Sequence, residues 1–101
     1  MSTLLEKVEA IEKAGAGELA EQALRKLMYL HVQKYERELE AVQKELEPFE
    51  RQYGMSSEEC RRQFAKGELG DSAEIMEWMG LYDNALLYQE RIETLRAAAE
   101  S

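Results

Sequence analysis

Residues 28–53 read MYLHVQKYERELEAVQKELEPFERQY, and the order of apolar residues in this stretch decides the fold. Met28, Val32, Tyr35, Leu39, Val42, Leu46, Phe49 and Tyr53 follow one another at steps of 4, 3, 4, 3, 4, 3 and 4. That alternation is a heptad repeat, which holds one apolar stripe on a helix and turns it toward a second helix. The residues between are mostly charged or polar, as a solvated outer face requires. Pro48 lacks a backbone donor and crowds the carbonyl of Lys44. Because the stripe runs on through Phe49 and Tyr53, a kink near residue 48 is predicted there in place of a break.

On the C-terminal side, Gly54 supplies a left-handed residue to end the long helix. Ser56-Ser57-Glu58-Glu59 then has the capping-box pattern: Ser56 is expected to accept from the amide of Glu59, and Glu59 to reach back. Met55 and Cys60 take the two staple positions around that cap. A short helix is predicted over about 57–66, ended by Gly67. Asp71 with Glu74 has a second capping-box pattern, ahead of a helix over about 72–98. The apolar face of that helix reads Ile75, Trp78, Met79, Tyr82, Leu86, Ile92 and Leu95. On the N-terminal side the long helix extends back to about residue 18. The AGAG of residues 14–17 separates it from a short helix over about 4–14 that carries Leu4, Leu5, Val8 and Ile11.

The expected molecule is all-α, a single domain over 1–101. It is an elongated antiparallel helical hairpin or coiled coil, with helices 18–53 and 72–98 as arms, 57–66 crossing the tip and 4–14 as a short N-terminal helix. The longer arm would span ~54 Å. Two such arms have more apolar face than they can cover alone, so oligomerisation, most simply as a homodimer, is expected to complete the bundle through the eight seam residues.

Twenty-one acidic against 13 basic residues leave a net charge of −8. An acidic surface repels a phosphate backbone, so direct nucleic-acid binding is not expected. No apolar run approaches the ~20 residues that span a bilayer, and no signal peptide is recognisable. A lone cysteine cannot form an intrachain bridge, which fits a reducing, cytoplasmic setting.

Reactive groups are sparse. Glu74-x-x-Glu77 and Glu90-x-x-Glu93 match the ExxE elements with which helical nucleotide pyrophosphohydrolases hold magnesium, and this metal-dependent enzyme is the least favoured reading. Both pairs fall on one predicted helix, with Glu90 ~24 Å from Glu74 along its axis. His31 is the only histidine and has no Glu-x-x-His context. Cys60 sits in the first turn of a helix, where the dipole activates a thiol, but its staple position already explains it. No catalytic residue, cofactor site or metal ligand is assigned, and the chain is not expected to be an enzyme. Phe49, Tyr53, Met55, Phe64, Trp78, Met79 and Tyr82 gather near the reversal. They form either a local core or a docking patch, and Trp78 and Tyr82 are the candidate partner-binding anchors.

Two stretches carry a resemblance. Residues 13–32, KAGAGELAEQALRKLMYLHV, resemble the helix–turn–helix half of ribbon-helix-helix antitoxins. Only Met1-Ser2-Thr3 precede the first predicted helix, so the DNA-reading strand of those proteins is not expected here. Residues 53–83, YGMSSEECRRQFAKGELGDSAEIMEWMGLYD, are similar to the C-terminal portion of small helical prokaryotic proteins encoded beside small toxins. The resemblance implies an antitoxin-like protein–protein interaction module that binds and occludes a small basic protein from the same operon, and it assigns no functional residues. A homo-oligomeric coiled-coil scaffold or adaptor, with no toxin partner, is the alternative.

Overall fold

The computed structural model describes residues 1–101 as four α-helices with no strand: α1 (Leu4–Lys13), α2 (Gly17–Tyr53), α3 (Ser57–Ala65) and α4 (Ala73–Glu100). The molecule measures 59 × 25 × 21 Å, with a radius of gyration of 19.6 Å. A compact globule of this length would have a radius near 13 Å.

The long arms α2 and α4 are antiparallel. Near the tip, Phe49 and Tyr53 of α2 lie against Trp78 of α4; farther down, Tyr35 stacks on Tyr88, and Glu36 pairs with Arg96. Every one of the eight seam residues is buried or partly buried, with Val32, Val42 and Leu46 deepest. The stripe that the heptads describe therefore has its partner within the same chain. Five of the eight, Met28, Tyr35, Leu39, Phe49 and Tyr53, remain only partly buried beside α4.

The face of α4 also differs in part from the sequence reading. Ile75, Trp78 and Met79 are buried, as are Ala85, Ile92 and Ala99, but Leu86 is 43% exposed. Met79 and Leu86 share a heptad position, and what separates them is α3. At the tip α3 packs on α4, with Arg61 donating to the Met79 carbonyl, so the buried face is wide. One heptad farther on, only the start of α3 at Ser57 reaches α4, the buried face narrows, and Ala85 takes the inward place beside the drifting stripe.

Pro48 does not break α2, which runs unbroken from Gly17 to Tyr53. The reversals fall where the backbone turns left-handed. Gly15, Gly54, Gly67 and Gly70 are the only residues with positive φ, and each lies in a connection between helices. Ser56 caps α3, accepting from the Glu59 amide at 3.0 Å. The reciprocal half of that box is absent, because Glu59 is engaged by Arg62 and Gln63. The second capping box needs correction. Ser72, not Asp71, caps α4, accepting from the Ile75 amide at 3.2 Å. Thr3 caps α1 in the same way, 3.1 Å from the Glu6 amide.

Short α1 folds back along the start of α2, with Val8 and Glu12 beside Gly17, Ala20 and Leu24. It packs beside the start of α2 next to the end of α4, where Ala98 and Ala99 meet Leu24, yet none of its own residues is buried.

Candidate interaction surface

At the tip, one chain of hydrogen bonds ties three helices together. Trp78 of α4 has no exposed surface; its ring lies 5.7 Å from that of Phe49 and 5.2 Å from that of Tyr53. A buried indole N–H needs an acceptor, and Trp78 Nε1 donates to Ser57 Oγ of α3 at 2.8 Å. The Ser57 hydroxyl in turn donates to Glu50 Oε2 of α2 at 2.9 Å, and the Ser57 amide donates to the same oxygen at 2.9 Å. Glu50 thus places a carboxylate at the positive end of α3. No buried side-chain polar atom lacks a partner.

Beside this chain, the Tyr53 hydroxyl donates to Glu74 at 3.0 Å. That bond, and then burial, hold the Tyr53 phenol above its ordinary pKa. Cys60 is wholly enclosed, and burial pushes its thiol up. A thiol that is both shielded and harder to ionise is no nucleophile at neutral pH. Arg61 bridges α3 to α4 by pairing with Asp83, and its guanidinium sits 5.8 Å from the centre of the Tyr82 ring.

These positions separate the two candidate anchors. Trp78 is a core residue with no exposed surface in this fold. Tyr82 is partly exposed. It lines a groove between α2, α3 and α4 that is floored by Leu46, Ala85 and Ser57 and edged by Glu47, Glu50 and Glu58. The rim acids Glu47 and Glu58 pair with Arg51 and Arg62, at 3.8 and 3.2 Å, across exposed surface. Exposed pairs of this kind exchange readily for a partner's cations.

The carboxylates of the two ExxE pairs are not brought together. Glu74 serves Tyr53, Glu77 and Glu93 point to solvent, and Glu90 edges a separate shallow groove with His31, Tyr35 and Arg91. No group of three or more His, Cys, Asp or Glu side chains is placed to hold a metal ion. No helix is long and apolar enough to cross a membrane.

One surface has no counterpart in the sequence reading. Leu4, Leu5 and Ile11 of α1, with Leu19, Leu27 and Leu30 of α2, stand exposed at the end of the molecule opposite the tip. Leu19, Leu27 and Leu30 fall outside the heptad register, and that was the available signal: one helix carrying two apolar stripes has two faces to cover. Comparison with protein-family models, curated proteins and solved structures finds no match to this chain.

Proposed function

We propose that this chain is a protein–protein interaction module, and that its acidic hairpin binds and blocks a small basic protein in the manner of an antitoxin. One observation carries the reading. Residues 36–101 hold sixteen acidic and eight basic side chains, which is the whole of the net charge of −8. The same hairpin holds the groove in which Tyr82 lies among Glu47, Glu50 and Glu58. An extended surface of one sign speeds encounter with a partner of the other sign, and a few central contacts then set how long the complex lasts. Tyr82 is the anchor in this reading.

The test is co-expression with the small basic protein encoded beside this chain's gene. That neighbour alone is expected to slow growth, and this chain to restore it. Glu47→Lys with Glu58→Lys should weaken the complex at least tenfold, and Tyr82→Ala should shorten its lifetime. A harmless neighbour, or no stable complex in either order of expression, would overturn the proposal.

A further inference from the structure

The exposed apolar end of the molecule is charged in a way that selects its own occupant. On α2, Leu19, Ala23, Leu27 and Leu30 are spaced by 4, 4 and 3, which aligns them on one face. That face lies nearly opposite the seam, and the three leucines are 67%, 50% and 53% exposed. Leu4 and Leu5 of α1 add side chains 74% and 67% exposed. An aligned row of large exposed side chains on one helix face marks a candidate contact surface.

Charge says what covers it. Residues 1–21 contain five acidic and two basic side chains, whereas residues 22–35 contain three basic ones and no carboxylate. This end of the molecule is therefore bipolar, acidic over α1 and the first turn of α2, basic over the next four turns. Arg25 pairs with Glu21 of its own helix at 3.1 Å, so a uniformly basic partner is repelled by Lys26 and Lys34, and a uniformly acidic one by the glutamates of α1. A partner with the same pattern, turned end for end, matches both halves at once. Two-fold symmetry makes that arrangement self-complementary.

We propose that a second copy of this chain docks here, antiparallel, with the Leu19–Leu27–Leu30 stripe of each copy on that of the other and α1 of each facing the basic stretch of its partner. The hairpins then point away from each other, and both tip grooves stay open. This inference stands independently of the basic partner proposed above.

Sedimentation equilibrium of the full chain, between about 1 and 100 μM, tests it. The expected mass is twice 11.7 kDa. Leu27→Glu with Leu30→Glu, at positions already half in solvent, should give the single-chain mass with unchanged helical circular dichroism. Leu86→Glu with Leu87→Glu on α4 should remain dimeric. Lys26→Glu with Lys34→Glu should weaken association at least tenfold, and adding Glu9→Lys with Glu12→Lys should restore most of it. A single-chain mass throughout for the unaltered protein, a dimer that survives Leu27→Glu with Leu30→Glu, or a charge exchange that restores nothing would each overturn the proposal.

Discussion

Removing the hydroxyl of Ser57 strips the buried indole N–H of Trp78 of its acceptor and takes one of two donors from Glu50. A buried donor stripped of its acceptor costs about 1–3 kcal/mol. Ser56→Ala removes only an exposed cap, worth about 0.5–2 kcal/mol. Urea titration should therefore place Ser57→Ala at about 2–3 kcal/mol of destabilisation, at or above Ser56→Ala; a smaller loss at Ser57 would mean that the Trp78–Ser57–Glu50 chain contributes little. The same comparison at the start of α4 runs opposite to the sequence reading. Ser72→Ala should cost about 1 kcal/mol and Asp71→Ala only a few tenths. Cys60 should resist a thiol reagent until the protein unfolds, because no part of it reaches the surface. Cys60 and Tyr53 both have folded pKa values raised above their ordinary ones. Their contribution is thus complete below the ordinary thiol and phenol ranges and is lost as pH rises through the folded values. Glu59 works at the other end: Arg62, then Gln63, hold its carboxylate below the usual range, so its contribution is lost only as pH falls through that lowered value. The melting temperature should fall on both sides of neutrality, and Tyr53→Phe should flatten the alkaline side.

Between elements, the decisive fact is the width of the contact. A heptad stripe read off α2 located the seam because an extended two-helix contact imposes one strict period. The face of α4 was legible only in part, because a third helix widens it at the tip and then ends. Leu86 looked like core by its spacing from Met79, and Ala85 did not look like core because it is small. Small residues are what a close approach of two helices requires. Leu86→Ala should change stability by less than about 0.5 kcal/mol, whereas Ala85→Leu should cost about 1–3 kcal/mol through overpacking. Thermal melts of the two variants decide between spacing and coverage as the rule for this face. The tip chain was less legible still. The two serines of residues 56 and 57 look alike in sequence, and only the approach of Glu50 and Trp78, seven and twenty-one positions away, gives them different work. Tyr82 was located among the candidate anchors, but its groove depends on α2 and α3 converging beside it.

At the scale of the molecule, length and charge divide the labour. The hairpin carries the net acidity and the tip groove; the opposite end carries a near-neutral, apolar and bipolar surface. The two should respond differently to salt. Raising ionic strength screens exposed charges beyond about 8 Å at physiological salt. It should weaken capture of a basic partner most, and weaken the self-contact less, because apolar side chains share that contact with its exposed charges. Titrating salt against each association, at fixed protein concentration, should give a steeper slope for the first than for the second.

The antiparallel pairing of α2 and α4 also sets an order of events in folding. Contacts at the tip close loops of 21 residues, as between Ser57 and Trp78, whereas those near the far end close 60, as between Glu36 and Arg96. Chain entropy charges the longer closure about 0.9 kcal/mol more if made first, and far less once the tip is formed. The hairpin should zip from its tip. In stopped-flow measurements, Ser57→Ala should then chiefly slow folding, while Ile92→Val, in the lower arm, should chiefly hasten unfolding. Amide exchange should follow the same gradient, fastest in α1 and at the end of α4, slowest around Trp78. The molecule assembles at one end and comes apart from the other.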